Sequence, residues 1–166
     1  MRASVRVETF SKKHGIVESH SLRPYNFEKT DMTYIFKTDK GLRYRAYFIE
    51  FPSAFYKLYS FSFDKEEGIG SYDPRVKDTI VTILKKFFDA DNLVLGYTCD
   101  VTDGRGMARK RLFDRWFEQE NDGSLRKIDF QNENIFVSLI VNKQYFAIEQ
   151  IVNDINQLFV DVLSQK

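Results

Sequence analysis

Residues 73–98 read DPRVKDTIVTILKKFFDADNLVLGYT and contain the pattern of a complete helix followed by a buried strand. Asp73 is typical of a helix N-cap, and Pro74 is favoured at the first helical position, where its missing N–H needs no partner. The apolar residues that follow recur at helical spacing and are Val76, Ile80, Ile83, Leu84, Phe87 and Phe88. This pattern predicts an amphipathic helix that faces a core, followed by a strand over 92–98.

Three strand patterns precede this helix, at residues 33–38 (TYIFKT), 42–51 (LRYRAYFIEF) and 55–63 (FYKLYSFSF). Apolar or aromatic residues alternate with other residues in them, which is typical of strands with one buried face. Gly41 suits the positive φ of a tight turn between the first two strands. Because the connections are short, we expect an antiparallel meander.

The segment after residue 98 predicts a second helix over 103–117, a polar loop over 121–134 and a strand over 135–141. A last helix carries an apolar stripe from residue 148 almost to the C-terminus. The predicted order is therefore β-β-β-α-β-α-β-α. It indicates an α+β fold, a mostly antiparallel sheet of about five strands with the helices packed on one face.

The charge distribution separates the N-terminus from the rest of the 166-residue chain. The whole chain holds 25 Lys and Arg against 24 Asp and Glu, which excludes a polybasic tail protein and an acidic disordered one. Residues 1–24 hold five basic and two acidic residues. We expect residues 1–24 to be a basic arm or tail, either mobile or added to a sheet edge, and residues 25–166 to form a single α+β domain.

The residue inventory excludes several chemistries. Cys99 is the only cysteine, so there is neither an intramolecular disulfide nor a multi-cysteine zinc site. Both histidines, His14 and His20, lie in the basic arm, and no phosphate-binding GxxxxGK[ST] pattern occurs. We therefore assign no metal and no cofactor. No run approaches the roughly 18 apolar residues that span a bilayer, so we expect a cytoplasmic protein with no membrane partner.

Residues 99–117 read CDVTDGRGMARKRLFDRWF and are the densest group of candidate functional residues. They follow a strand and open a helix, for which Asp103 would serve as the N-cap. Arg105 and Arg109 share a helical stripe with two aromatic residues, which places them near the edge of the core. Guanidinium groups there need acceptors, and Asp100 and Asp103 are close in sequence.

Two interpretations of this segment remain open. In the first, the helix N-terminus and the two arginines bind a phosphate or carboxylate, and the two glycines let the ligand approach the backbone. In the second, an Asp–Arg network only fixes the strand-to-helix turn. The candidate ligand-binding residues of the first interpretation are Asp100, Asp103, Gly104, Arg105, Gly106 and Arg109. No catalytic residue is assigned.

Two motifs carry a resemblance to a known family. The first is an aromatic hairpin with a T-x-x-G turn, formed by Tyr34, Phe36, Thr38, Gly41, Tyr44 and Phe48. The second is CD-x-x-DGR-x-x-x-R-x-x-x-F-x-x-WF, over 99–117. Residues 25–163 thereby resemble a family of small bacterial proteins of unknown function. That family carries no assigned activity or cofactor, so the resemblance marks the second motif as a defining feature and names no reaction.

Three functions are compatible with these observations. The first is a binding or interaction module, organised around the Asp–Arg turn, for a protein or an anionic ligand. The second is an enzyme acting on a phosphorylated or nucleic-acid substrate through Asp100, Asp103, Arg105 and Arg109. The third is a structural homo-oligomer joined by the basic arm or by the aromatic sheet edge.

A nucleic-acid partner has weak support from the strand over 42–51. Arg43 and Arg45 share a strand face with Tyr47, and basic residues between rings suit single-stranded nucleic acid. The net charge of +1 gives little attraction to a phosphate backbone. If this face is exposed, it predicts an interface with a partner or a second copy.

Overall fold

The computed structural model describes residues 4–7, 22–52, 56–68, 70, 73–89, 93–99, 101–131, 136–145 and 147–164. The strands are β1 (Ser4–Val7), β2 (Phe27–Thr30), β3 (Thr33–Lys37), β4 (Arg43–Phe51), β5 (Lys57–Glu67), β6 (Leu93–Cys99), β7 (Leu125–Gln131) and β8 (Phe136–Asn142). The helices are α1 (Pro74–Phe88), α2 (Gly106–Glu120) and α3 (Ile148–Ser164). The predicted α+β class is confirmed, with eight strands in these ranges rather than about five.

The chain divides into two compact units. The aromatic unit consists of Ser11–Phe51 and Tyr59–Asp91, and it contains β2 to β4, most of β5, and α1. The terminal unit consists of Met1–Phe10, Pro52–Leu58 and Asn92–Lys166, and it contains β1, β6 to β8, α2 and α3. No helix in the described ranges is both long enough and apolar enough to span a membrane.

The aromatic unit contains the first antiparallel pair of the predicted meander, and β5 lies beside β4. β3 pairs antiparallel with β4, and Gly41 in the turn between them has a φ of 79°. β2, which the sequence analysis missed, pairs antiparallel with β3 through a two-residue turn at Asp31 and Met32. β2 escaped prediction because it has only four residues, of which Phe27 is the single aromatic.

Helix α1 covers one face of this sheet, as its apolar stripe predicts. The Asp73 carboxylate accepts the Arg75 N–H at 2.9 Å, so Asp73 is the N-cap that the sequence indicates. The Phe87 ring stacks on Phe48 of β4 with ring centroids 4.3 Å apart. The side chains of Tyr44, Ala46 and Phe48 therefore lie on the face that α1 covers.

The terminal unit contains a sheet with the strand order β1-β7-β8-β6, in which every pairing is antiparallel. Helix α3 packs against Ile128 and Phe130 of β7 and against Leu139 of β8. Helix α2 instead contacts Asp129 of β7 and Tyr97 of β6. Successive side chains of a strand point to opposite faces, so α2 and α3 lie on opposite faces of this sheet. The prediction that the helices pack on one face of the sheet is therefore wrong for this unit.

Strand β7 is the main correction to the predicted element order. The sequence predicts a polar loop over 121–134, but Leu125–Gln131 is a strand with Ile128 and Phe130 buried. Lys127 and Asp129 alternate with those two residues and lie on the face covered by α2. Lys127 and Asp129 interrupt the apolar pattern of this strand. Their partners on α2 could not be recognised from the sequence of the strand alone.

Strand β1 adds the N-terminal residues Ser4–Val7 to the edge of this sheet. It pairs antiparallel with β7, with Arg6 opposite Asp129 and Val5 opposite Phe130. Of the arrangements considered for the basic arm, addition to a sheet edge is the one that these four residues adopt. Residues 8–21 lie outside the described residues, and the boundary at residue 24 stays a prediction.

Candidate functional site

The segment between β6 and α2 makes a tight turn that delays the start of the helix. The Gly104 N–H donates to the Val101 carbonyl at 3.0 Å, and Gly104 has a φ of 71°, a conformation that favours glycine. An added Cβ at Gly104 would meet nothing within 4 Å, so the backbone conformation, not space, calls for glycine. Because of this turn, α2 begins at Gly106 rather than at the predicted Asp103.

Asp103 organises the turn through hydrogen bonds to two arginines. Its carboxylate accepts the Arg105 backbone N–H at 3.0 Å and both terminal nitrogens of Arg109, at 2.7 and 2.6 Å. Hydrogen bonds from the Arg109 side chain, and then from the Arg105 backbone, lower the pKa of Asp103 to about 2. The N-cap itself is Arg105, whose side chain makes no capping hydrogen bond.

The Asp103–Arg109 pair is open to solvent. The two side chains are 43% and 40% exposed, whereas the stripe pattern predicted arginines near the edge of the core. Exposed pairs of this kind contribute little to stability, although the two-pronged geometry fixes direction. Arg105 is also exposed, and among the described residues its guanidinium group has no ion-pair partner.

Of the six predicted site residues, the structure brings the Asp103 carboxylate, the Arg105 backbone and the Arg109 side chain together. Gly104 shapes the turn, and Gly106 is buried at the start of α2. Asp100 lies outside the described residues. The described members form an Asp–Arg arrangement in which the Asp103 carboxylate already binds both terminal nitrogens of Arg109, so Arg105 is the arginine of this turn that an anion could contact.

A second group of charged residues, which sequence reasoning missed, lies between α2 and β7. We call it the lysine–aspartate cluster; its members are Lys110, Asp114, Lys127 and Asp129. Lys110 Nζ lies 2.8 Å from Asp114 Oδ2 and 3.0 Å from Asp129 Oδ2. Lys127 Nζ lies 2.7 Å from an oxygen of each aspartate. The four side chains are between 9% and 24% exposed, so the cluster is largely removed from water.

The cluster continues across the sheet through Ser138. Register places Ser138 beside Asp129 on one side and beside Tyr97 on the other. The Ser138 hydroxyl donates to Asp129 Oδ1 at 2.6 Å. Burial alone would raise the pKa of Asp129, but hydrogen bonds from Lys127, Ser138 and Lys110 outweigh it and lower that pKa. Asp129 is therefore charged at neutral pH.

The four charged side chains of the cluster pair with one another. Burial would lower the pKa of Lys110, but hydrogen bonds to Asp114 and Asp129 outweigh burial and raise it. Two ammonium groups thus face two carboxylates, which balances their charge and ties α2 to the sheet. One signal was visible in the sequence, because Lys110 and Asp114 have the spacing of neighbours on a helix. Lys127 and Asp129 could not be added without β7.

Cys99 does not provide a reactive thiol. Its side chain is buried at 2% exposure, and burial, followed by the charge of Asp114, raises its pKa to about 11. Thiols are reactive as thiolates, so this environment suits a small buried apolar residue. Across the ranges that the structure describes, His, Cys, Asp and Glu side chains form no group of three that could hold a metal ion.

The fold and the turn define an α+β protein in which a glycine-containing Asp–Arg turn leads from a strand of the sheet into a surface helix. A family of unknown function, DUF6169, matches residues 72–157, which is more than half of the chain. The chain belongs to this family. The matched segment includes the Asp–Arg turn and the lysine–aspartate cluster. Neither a curated protein nor a solved structure matches the chain.

Proposed function

We propose that this protein is a cytoplasmic binding module whose contact surface is the Asp–Arg turn at the start of α2. Its partner presents an anionic group, either on another protein or on a small ligand. The observation that carries the proposal is the state of Arg105. Its guanidinium group is exposed and has no ion-pair partner within the described residues, next to a turn that Asp103 and Arg109 hold in place.

The two arginines would have different roles in such a module. The Arg109 fork is taken up by Asp103, so Arg109 is a positioning residue. Arg105 contacts the partner, and the partial positive charge of the α2 N-terminus adds attraction for an anion. Met107 is 41% exposed in the first turn of α2 and offers an apolar contact beside the charge.

The protonation of the nearby groups supports binding rather than acid–base chemistry. The pKa of Asp103 is about 2, so this carboxylate is a poor proton acceptor near pH 7. The pKa of Cys99 is about 11, so its thiol is protonated there. The charged groups of the lysine–aspartate cluster are engaged with one another.

A titration followed by NMR tests the proposal. The ¹⁵N-labelled protein is titrated with inorganic phosphate and, separately, with a short polyglutamate peptide. We expect saturable shifts at residues 103–109 for at least one of these probes. Arg105→Ala should weaken that binding about tenfold, the value of one charge-assisted hydrogen bond.

Arg111→Ala is the matched control because Arg111 is another exposed arginine of α2. The affinity of Arg111→Ala for the probe should stay within a factor of about two of wild type, because the Arg111 side chain makes no contact in the turn. The proposal is wrong if neither probe gives saturable shifts, or if both variants lose affinity equally.

A further inference from the structure

The sheet of the aromatic unit has a second face, which we call the outer face. Phe48 stacks on Phe87 of α1, so the residues that alternate with Phe48 on β4 point away from that helix. The outer face includes Glu28 on β2, Ile35 and Lys37 on β3, Arg43, Arg45, Tyr47, Ile49 and Phe51 on β4, and Asp64 and Glu66 on β5.

Large apolar side chains are exposed at one end of the outer face. Ile49 is 51% exposed and Phe51 is 49% exposed. The pairing of β3 with β4 ends at Thr33 and Tyr47. Ile49 and Phe51 therefore lie beyond the end of β3. Adjacent exposed apolar side chains on a flat strand mark an interaction surface more often than single ones do.

The other end of the outer face carries paired charges of both signs. Arg43 Nε lies 3.2 Å from Glu66 Oε2, and Arg45 Nε lies 3.3 Å from Glu66 Oε1. A nitrogen of Arg45 also lies 3.8 Å from Asp64 Oδ2. Register adds Lys37, opposite Arg43, and Glu28, opposite Ile35. The face therefore holds three cations and three carboxylates and no net charge, so a polyanion or an anionic membrane gains little there.

We propose that the outer face is the interface between two copies of this chain. A two-fold interface requires a patch that is complementary to itself. This face meets that requirement because it offers apolar side chains to pack on their own copies and both members of an Arg–carboxylate pair to exchange. The inference goes beyond the proposed function, since no residue of the Asp–Arg turn belongs to the outer face.

The mass in solution tests the interface. By sedimentation equilibrium up to about 1 mM protein, wild type should approach twice the 19.6 kDa of one chain. The double variant Ile49→Asp/Phe51→Asp should keep its circular dichroism spectrum and sediment as a single chain. Leu22→Asn is the control, because Leu22 is 42% exposed but contacts Asp78 of α1 and does not lie on the outer face; it should associate as wild type does.

Several outcomes would overturn the interface. These are a wild type of single-chain mass throughout the range, a double variant that still associates, or a Leu22→Asn variant that does not. Binding of single-chain wild type to anionic vesicles or to single-stranded RNA through Ile49 and Phe51 would assign the face to a different partner.

A charge exchange tests the pairing between copies separately from pairing within a chain. One variant carries Arg43→Glu and Arg45→Glu, so its outer face is strongly acidic although Lys37 remains. The other carries Asp64→Lys and Glu66→Lys, so its outer face is strongly basic although Glu28 remains. Each should remain a single chain alone, and an equimolar mixture should form heterodimers, since mixing cannot repair pairs within a chain. A mixture of folded variants that forms no dimer would contradict the proposal.

Discussion

Lys110 of α2 and Asp129 of β7 lie 3.0 Å apart, nitrogen to oxygen, although they are 19 positions apart in the sequence. Their side chains are 12% and 15% exposed, so this contact is shielded from water far more than the Asp103–Arg109 pair. Breaking the lysine–aspartate cluster should therefore cost more stability than breaking the exposed pair. The exposed turn is the one that is available to a partner.

Removing Asp129 should strongly destabilise the fold. Asp129→Ala leaves Lys110 and Lys127 largely buried with Asp114 as their remaining carboxylate in the cluster. Leaving a buried charge without its partner costs roughly 3–5 kcal/mol, and we expect about 3 kcal/mol because the cluster keeps one carboxylate. Equilibrium unfolding in guanidinium chloride at pH 7 measures this loss.

Glu118→Ala provides the control for this variant. Glu118 is exposed on α2, so its removal should change the free energy of unfolding by less than about 0.5 kcal/mol. The pH dependence gives a second check. Because the folded-state pKa of Asp129 is lowered, its contribution is present above the ordinary value of 3.8 and is lost as pH falls through the folded value. If Asp129→Ala and Glu118→Ala lower the free energy of unfolding equally at pH 7, the cluster does not stabilise the fold.

Arg109→Ala should release the carboxyl group of Asp103. The pKa of Asp103 is held near 2, first by the Arg109 side chain and second by the Arg105 backbone. Without the guanidinium group it should rise toward 3.8, remaining somewhat lower because the backbone bond persists. NMR titration of the side-chain carboxyl carbon measures both values.

The sign of the linked effect on stability follows from that lowered pKa. Stabilisation by the Asp103–Arg109 pair is present above 3.8 and is lost as pH falls toward 2. Arg111→Ala should leave the pKa of Asp103 unchanged, since Arg111 is exposed elsewhere on α2. A pKa that stays near 2 in Arg109→Ala would show that Arg109 is not its cause.

The sequence predicted the elements whose signals are local. Helix α1 was predicted with its N-cap because Asp73, Pro74 and the apolar spacing all belong to one segment. Strand β7 was missed because Lys127 and Asp129 sit on its α2-covered face, where the partners come from Lys110 and Asp114. In the sequence, charged residues on a covered strand face look the same as charged residues in a loop. They can be told apart only when the helix that pairs with them is placed.

The candidate site was predicted in composition but not in geometry. The sequence indicated that Asp103, Arg105 and Arg109 act together, and the structure joins Asp103 to both arginines. The sequence could not indicate that Gly104 would adopt a φ of 71° and that α2 would therefore start at Gly106. That shift makes Arg105 the N-cap and leaves its side chain exposed.

Cys99 should resist modification in the folded protein. Its thiol is 2% exposed, and burial raises its pKa to about 11, so little thiolate exists at pH 8. Ellman's reagent should label the native protein slowly, at the rate at which the terminal unit opens. In guanidinium chloride it should label one thiol per chain at once, since Cys99 is the only cysteine. Rapid stoichiometric labelling of native protein would contradict this environment.

Asp73→Ala should destabilise the aromatic unit through two lost hydrogen bonds. One carboxylate oxygen accepts the Arg75 N–H at 2.9 Å, and the other accepts the Tyr25 hydroxyl at 2.7 Å. Loss of an N-cap lowers the free energy of unfolding by about 0.5–2 kcal/mol. The Tyr25 hydroxyl also loses its acceptor, so we expect a total decrease of about 2 kcal/mol. Thermal unfolding followed by circular dichroism measures the change.

Asp89→Ala is the control for the N-cap variant because Asp89 lies at the opposite end of α1 and is exposed. A negative charge is unfavourable at a helix C-terminus, so its removal should leave stability unchanged or slightly raised. Asp73→Asn should recover part of the loss, because asparagine also caps helices. Recovery should be incomplete, because its single oxygen replaces the two carboxylate oxygens that accept the Arg75 N–H and the Tyr25 hydroxyl. If Asp73→Ala and Asp89→Ala unfold at the same temperature, the cap does not hold the start of α1.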